Sequence, residues 1–180
     1  MVKPASRIET IPPYLFARID KKKEEARKKG IDLIDFGIGD PDIPTPSNII
    51  EKMREVVADP KNHRYPSYEG MFEYRKAVAD WYATRFNVEL NPADEIVALI
   101  GSKEGIAHMP WAYIEPGDTA LIPSPGYPVY KITTLLAGGS AYLMPLNEEN
   151  GFLPKFDAIP ASVLEKAKIT DVAPEKATKA

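Results

Sequence analysis

The spacing of apolar and polar positions predicts a succession of helices and strands along most of the chain. Apolar residues that recur every three or four positions predict amphipathic helices, and short continuous apolar runs predict strands covered on both faces. The segments with helical spacing are 14–29, a stretch beginning at 46, 71–86, 102–114 and 128–137. The segments with strand character are 31–36, 95–100, 119–123 and 141–144. Strands that alternate with helices predict parallel pairing with right-handed crossovers, so the expected fold class is α/β.

Glycine and proline mark the ends of these elements and the loops between them. Gly30 fits the position that follows the C-terminus of the first helix, because glycine readily adopts a positive φ. Thr45 and Pro46 form a suitable N-cap and first-turn pair for the second helix. The chain has 18 prolines, about twice the average usage. Many of them lie next to Gly, Asp, Tyr or Ser, which indicates shaped loops rather than a linker.

Composition and charge exclude several classes of protein. The 180 residues include 23 Lys and Arg, 26 Asp and Glu and no Cys, and the net charge is −3. This charge gives no general attraction to nucleic acid or to an anionic membrane, and the lack of cysteine excludes disulfides and thiolate chemistry. No apolar run approaches the roughly 20 residues of a membrane span, and the N-terminus lacks the apolar core of a signal peptide. A cytoplasmic protein is therefore expected, with the basic run 21–29 on a solvated helix face.

The strongest candidate for chemistry is the turn Gly101-Ser102-Lys103, between a predicted strand and a predicted helix. A helix that begins here presents free backbone N–H groups and the positive end of its dipole, beside the Ser102 hydroxyl and the Lys103 charge. This arrangement is typical of an anion site. The Walker and Gly-x-Gly-x-x-Gly spacings are both absent, which disfavours nucleotide binding. An ordinary turn with a surface lysine explains the same residues, and the spacing alone favours that simpler interpretation.

A second loop, 124–127, follows the next predicted strand. Ligand sites of open α/β sheets lie beyond the carboxyl ends of the strands, so both loops are candidates to line one crevice. Tyr127 lies between Pro125 and Pro128 and is suited to stack on a planar ligand, although an aromatic plug in a loop fits equally well. His63 and His108 are isolated and show no metal-ligand spacing, so no metal site is predicted. No catalytic carboxylate pair can be singled out.

Five motifs occur in the order that is typical of one known family. They are Tyr14, the loop 37–46, Tyr65-Pro-Ser-Tyr-Glu-Gly70, Gly101-Ser-Lys-Glu-Gly105 and Pro123-Ser-Pro-Gly-Tyr-Pro128. Together they resemble the class I/II aminotransferases of pyridoxal-phosphate (PLP) fold type I, and most closely their LL-diaminopimelate aminotransferase branch. The resemblance implies an N-terminal arm and small-domain segment at 1–45 and part of the PLP-binding α/β/α large domain, with a mostly parallel sheet, at 46–169. The last segment, 170–180, has no apolar periodicity and is expected to be a disordered or unrelated tail.

The resemblance also implies a PLP cofactor, an amino acid and a 2-oxo acid as substrates, and a homodimer that acts in lysine or other amino-acid biosynthesis. Under this resemblance, Ser102 and Lys103 belong to the turn that holds the PLP phosphate. Tyr127 corresponds to the aromatic residue that stacks on the pyridine ring. Tyr65 corresponds to the tyrosine that reaches across the dimer interface to the phosphate bound by the other subunit.

Tyr14 and Gly39 are implied as substrate contacts, and Lys103 is implied as a further one in this branch. The family's Asn-Pro segment, its Asp partner of the pyridine nitrogen, its Schiff-base lysine and its carboxylate-binding Arg have no counterpart in this sequence. Transamination needs a lysine amine that also moves the substrate's α-proton. The chain is therefore expected to be a truncated aminotransferase that contributes no catalytic residue and is inactive alone.

Two other functions stay open on these residues. A β-lyase or an aminotransferase with another substrate has the same fold, and the residues that discriminate substrates are among those without a counterpart. A non-catalytic protein that binds an anion, or that pairs with a full-length homologue, also keeps the turn at Ser102 and Lys103. A sheet that ends in an open apolar edge is an aggregation template, so poor solubility or association is expected of the isolated chain.

Overall fold

The computed structural model describes residues 2–37, 39 and 41–171. The α-helices of these residues are α1 (Ser6–Glu9), α2 (Leu15–Lys28), α3 (Ser47–Ala58), α4 (Phe72–Phe86), α5 (Ser102–Tyr113), α6 (Pro128–Leu136) and α7 (Ala161–Leu164). The strands are β1 (Thr119–Ser124), β2 (Ser140–Pro145) and β3 (Ala167–Thr170). Short 3-10 turns lie at Pro60–Asn62, Glu148–Asn150 and Phe156–Ala158.

Contacts divide the chain into two compact units, each of which is described by itself. Of the described residues, the first unit comprises 2–25 and 100–171, and the second comprises 26–99. The first unit contains the sheet together with α5 and α6, and the second contains α3 and α4. This division by contacts is distinct from the predicted segments 1–45, 46–169 and 170–180. The first two of these segments stay predictions.

The sheet of the first unit is parallel, with the strand order β2-β1-β3. Residues 119–124 of β1 pair in register with residues 140–145 of β2, and Leu121 of β1 pairs with Thr170 of β3. Strand β1 lies between the other two strands, so its backbone groups pair on both sides at 119–121. Its first four residues are buried, with Ile122 only 2% exposed. The connection from β1 through α6 to β2 confirms the predicted parallel α/β pattern.

The core of this unit lies on the sheet. Leu121, Met144 and Ile159 form a buried cluster, and α6 packs against β1, β2 and α5. Gly139 makes close packing possible at the start of β2, since a Cβ atom there would lie 2.3 Å from Cγ2 of Ile114. Within the part of the chain that the structure describes, no helix is long and apolar enough to cross a membrane.

The last strand extends beyond the predicted start of the tail. Thr170 belongs to β3, and the backbone N–H of Asp171 donates to the Leu121 carbonyl at 3.1 Å. These contacts with β1 order both residues, so the expected disorder from Thr170 onward is wrong at its first two positions. The rest of the predicted tail, 172–180, lies outside the described residues.

The second unit is held together in part by a buried arginine. Arg75 of α4 is 7% exposed, and its guanidinium donates to the carbonyls of Gly70 at 3.3 Å, of Ala93 at 3.0 Å and of Pro92. The Glu69 carboxylate lies 3.5 Å from the same guanidinium. The side chain therefore joins the loop before α4 to the turn after it, and its charge is compensated by hydrogen bonds and an ion pair.

Two of the predicted strands are wrong. Residues 31–36 and 95–100 are irregular in the structure. An extended segment becomes a strand only when its N–H and C=O groups pair with a neighbouring strand, and here the Ala98 N–H donates instead to the carbonyl of Glu69 at 2.9 Å. The first predicted strand–helix–strand unit needed 95–100 as a strand, so it does not form among the described residues.

The predicted helices are confirmed, with small shifts at their ends. Gly30 has a φ of +73° and its N–H donates to the Arg27 carbonyl at 3.0 Å, as expected for the residue after a helix. The predicted capping at Thr45 is wrong, because Pro46 occupies the N-cap with a ψ of 141° and α3 begins one residue later, at Ser47. The fixed φ of proline suits this position as well as the first turn.

Candidate functional site

The N-terminus of α5 presents unpaired backbone donors. Gly101 precedes the helix with a φ of +81°, a left-handed conformation that glycine adopts without strain. Ser102 and Lys103 are both exposed, and no side chain of the described residues caps their N–H groups. Free N–H groups, the positive end of the helix dipole, a hydroxyl and an ammonium thus share one turn, which is the chemistry that binds a phosphate.

Glu104 closes this turn from the helix side. Its backbone N–H donates to the Gly101 carbonyl at 3.2 Å, and its carboxylate Oε2 accepts the Ile100 N–H at 2.5 Å. The side chain is half-buried. The motif Gly101-Ser-Lys-Glu-Gly105 did not lead to a prediction of this side-chain bond, although a glutamate three residues after an N-cap is a known capping signal.

Tyr127 lies at the N-cap of α6, directly after the loop that leaves β1. Its ring meets Tyr130 edge to face, with centroids 5.8 Å apart. Gly126 allows the sharp turn before it, because a Cβ atom there would lie 2.2 Å from the carbonyl oxygen of Pro123. The loop follows the carboxyl end of a central parallel strand, where open α/β sheets place their ligands.

Tyr14 lies at the start of α2, and its carbonyl accepts the Arg18 N–H at 3.4 Å. Its ring packs on Phe16 with centroids 5.5 Å apart and stays exposed. The first unit contains four of the predicted site residues, namely Tyr14, Ser102, Lys103 and Tyr127. Across the described residues, no hydrogen bond or ring contact joins the phenol of Tyr14 or of Tyr127 to the turn at Ser102.

Tyr65 and Gly39 belong to the second unit. Tyr65 is 92% exposed, and Gly39 is exposed with open space around its Cα. The loop that carries Tyr65 is anchored at its start, where His63 Nε2 lies 2.8 Å from the Val57 carbonyl, and at its end by Arg75. Arg75 was missed from sequence, although it is a charged residue between Phe72 and Val78 on a helix with an apolar stripe.

A cleft of about 210 Å³ opens where β3 ends, between α5 and α6. Its walls include Tyr130, Thr133 and Thr134 of α6 together with Ile106 of α5 and Asp171. Asp171 is the last residue that the structure describes. Burial among these uncharged groups raises the pKa of Asp171 from 3.8 to about 6. Sequence patterns gave no signal for this carboxyl, because its burial depends on β3 pairing with β1.

The two histidines have local partners. His63 contacts a backbone carbonyl, as described above, and the ring of His108 lies 5.3 Å from the ring of Trp111. Within the described ranges, no three His, Asp or Glu side chains converge as metal ligands do.

Comparison with known proteins places the chain in a family. The family model described as aminotransferase class I and II matches residues 31–172. The LL-diaminopimelate aminotransferase of Halothermothrix orenii is 62% identical over 165 residues, which are 92% of this chain and 42% of that protein. The LL-diaminopimelate aminotransferase of Aquifex aeolicus is 55% identical over 165 residues, which are 92% of this chain and 43% of that protein.

Solved structures agree with the sequence relatives. Substrate-bound BacF from Bacillus subtilis superposes with a TM-score of 0.84 at 36% identity, over 94% of this chain and 43% of that one. A variant of Thermus thermophilus aspartate aminotransferase superposes with a TM-score of 0.83 at 25% identity, over 98% of this chain and 46% of that one. The chain thus spans less than half the length of the curated relatives and solved structures that it matches. By its sequence and by its fold, it belongs to the class I and II aminotransferase family.

Proposed function

We propose that this chain carries the phosphate-binding part of a PLP site in an aminotransferase of the LL-diaminopimelate type. The single observation behind the proposal is the N-terminus of α5, where exposed Ser102 and Lys103 follow a glycine at positive φ. Membership of the aminotransferase family and 62% identity to an LL-diaminopimelate aminotransferase support the cofactor and the substrate class.

The residues present fit the phosphate group of PLP. Three kinds of donor meet at this turn, namely backbone N–H groups, the Ser102 hydroxyl and the Lys103 ammonium. An ammonium adds charge to the partial charge of the helix end, and charge-assisted hydrogen bonds to phosphate are about twice as strong as neutral ones. When bound, PLP supplies an electron sink for bond changes at the substrate's α-carbon. In the proposed role, Ser102 and Lys103 bind and orient the phosphate end.

The other predicted site residues take roles that follow from their positions. Tyr127 is held at a helix N-cap, and its ring is proposed to stack on the planar pyridine of PLP. Tyr14 and Gly39 are proposed to contact substrate, with Lys103 as a further contact. Tyr65 is proposed to reach the phosphate of a second subunit in a homodimer, which accords with its almost complete exposure in the single chain.

Turnover requires groups for which these 180 residues offer no counterpart. A lysine must hold the cofactor and move the α-proton, and the role proposed for Lys103 is at the phosphate end instead. The proposed activity of the chain by itself is therefore binding of PLP without transfer of amino groups. Transamination between an amino acid and 2-oxoglutarate by the purified chain would contradict this part of the proposal.

The phosphate role is tested with pyridoxine 5′-phosphate, which lacks the aldehyde and so does not react with surface lysines. We expect Ser102→Ala and Lys103→Gln each to weaken its binding about tenfold, the loss of one charge-assisted hydrogen bond. Lys166→Gln is the matched control, because Lys166 is an exposed lysine just before β3. If Ser102→Ala and Lys103→Gln both bind pyridoxine 5′-phosphate as tightly as the unaltered chain, Ser102 and Lys103 do not form the phosphate site.

The catalytic lysine is tested separately by PLP addition, borohydride reduction and peptide mapping. We expect scattered or absent labelling, because the proposal assigns no Schiff-base lysine to this chain. Stoichiometric labelling of one lysine would show that the chain carries its own Schiff-base residue, and the proposal of binding without turnover would fail.

A further inference from the structure

Glu104 lies where its charge conflicts with the ligand proposed for this turn. It occupies the first turn of α5, one residue after Lys103. A carboxylate in the first turn stabilises a helix, because it interacts with the positive end of the dipole. The same carboxylate repels a phosphate, and it competes with the phosphate for the free N–H groups.

The geometry shows how this conflict is reduced. The Glu104 carboxylate accepts the N–H of Ile100, the residue before Gly101, at 2.5 Å. The N–H groups of Ser102 and Lys103 receive no side-chain cap from the residues that the structure describes. The carboxylate therefore accepts a hydrogen bond from a donor outside the helix. The N–H groups of Ser102 and Lys103 stay available to an anion.

The same bond shapes the chain as it enters the turn. Glu104 makes two hydrogen bonds across residues 100–104, one from its backbone N–H to the Gly101 carbonyl and one through its side chain to Ile100. Ile100 is 94% exposed, so packing does not hold it in place. Gly101 has no side chain to restrict its backbone. The Glu104 carboxylate thus restrains the backbone just before Ser102, in addition to the bond from the Glu104 N–H to the Gly101 carbonyl.

We propose that Glu104 is a positioning residue of the phosphate turn. Its carboxylate anchors the Ile100 N–H and thereby holds the Ser102 and Lys103 donors in the arrangement that binds a phosphate. This inference rests on the proposed function, since it assigns Glu104 a role in the same site. The inference predicts that removal of the negative charge of Glu104 weakens the binding of an anion, which is the opposite of what charge repulsion alone predicts.

The test compares Glu104→Ala with Glu104→Gln by titration of the whole chain with pyridoxine 5′-phosphate and, separately, with pyridoxine. The affinity for pyridoxine 5′-phosphate divided by the affinity for pyridoxine isolates the contribution of the phosphate group. We expect Glu104→Ala to lower this ratio five- to tenfold, because it removes the acceptor, and Glu104→Gln to keep or raise it, because the amide oxygen still accepts the Ile100 N–H. Glu73→Ala is the matched control, since Glu73 is an acidic residue in the first turn of α4.

The outcomes separate the inference from the proposed function. A ratio that rises in both Glu104 variants would mean that the carboxylate only repels the phosphate, and the positioning role would be overturned while the site survives. A ratio near one in the unaltered chain would overturn the proposed function and the role of Glu104 with it. A general loss of structure is distinguished by helical circular dichroism and by pyridoxine affinity, which a local change at this turn leaves unaltered.

Discussion

The apolar runs at 95–100 and 119–124 are similar in sequence and differ completely in structure. The first reads Glu-Ile-Val-Ala-Leu-Ile and the second Thr-Ala-Leu-Ile-Pro-Ser. The second is the central strand β1, in which Ile122 is 2% exposed, whereas the first is irregular and leaves Ile100 94% exposed. Apolar composition is therefore not enough to make a strand.

The difference lies in what each run pairs with. β1 has a parallel neighbour on each side, so its ladder and its side-chain burial support each other. Residues 95–99 pair with no strand among the described residues: the Ala98 N–H donates to the Glu69 carbonyl, and the Glu95 N–H donates to the Asn91 carbonyl within a local turn. Arg75 holds the neighbouring segments through the carbonyls of Gly70, Pro92 and Ala93. One region is stabilised by buried apolar surface, and the other depends on a charged side chain. The predictions below test that contrast.

The largest expected effect is on the core of β1. Ile122→Ala removes buried methyl groups and leaves a cavity, so it should lower the free energy of unfolding by about 3 kcal/mol. The matched variant Ile100→Ala changes an exposed side chain and should alter it by less than about 0.5 kcal/mol. Urea denaturation of both variants measures the difference. Equal losses would show that 95–100 is packed as tightly as β1.

A smaller loss is expected from the polar anchor of the second unit. Arg75→Gln leaves the carbonyls of Gly70, Pro92 and Ala93 short of donors and should cost about 2 kcal/mol. Arg85→Gln is the control, because that guanidinium lies over the Phe86 ring at 5.4 Å on an exposed part of the same helix. Amide exchange at Ala98 reports the local effect, and it should accelerate in the Arg75 variant alone. Unchanged exchange there would contradict the anchoring role.

The third prediction concerns how the stability of the chain depends on pH through Asp171, which directly follows β3. Burial raises the pKa of Asp171 from 3.8 to about 6 in the folded chain, so the folded state binds the proton more tightly than the unfolded state. The contribution of this group to stability is thus fully present below pH 3.8 and is lost as the pH rises through about 6. Asp171→Asn should stabilise the chain at pH 7.5 and have little effect at pH 3.5. The exposed Asp157→Asn serves as the control.

The smallest expected effect on stability accompanies a change in association. Val97 and Leu99 are large, exposed apolar side chains outside any ladder, and exposed apolar patches promote association. Val97→Lys together with Leu99→Lys should leave the unfolding free energy within about 0.5 kcal/mol and reduce self-association. Analytical ultracentrifugation over a range of concentrations measures the second effect. Association that persists unchanged would place the contact surface elsewhere.

The amphipathic helices could be predicted from sequence because their pattern is local. The stripes of α2, α3 and α4 recur every three or four residues, and helical hydrogen bonds close within one segment. Gly30 was predicted to follow α2 for the same reason. Strands are different, since their hydrogen bonds go to a segment that is distant in the chain. The pairs β1–β2 and β1–β3 form, whereas 31–36 and 95–100 find no strand to pair with among the described residues.

The features of the candidate site also separate into those that depend on a local pattern and those that depend on contacts in the folded chain. The sharp turn at Gly101 and the helix start at Ser102 could be predicted, because a glycine, a hydroxyl and a cation act there within three residues. That this turn binds an anion stays a prediction. The role of Glu104 required the structure, since only the bond to Ile100 shows where its carboxylate points. The burial of Asp171 likewise required the pairing of β3.

The sequence by itself determined the α/β class, the five helices α2 to α6 and the resemblance to aminotransferases that the comparisons confirm. Each of these depends on residues within a few positions of one another or on motifs in fixed order. The tertiary structure alone decided which apolar run became the central strand, that Arg75 is a buried anchor, and that the carboxyl of Asp171 is desolvated. Burial and pairing are set by neighbours that are remote in sequence, and a local pattern does not carry that information.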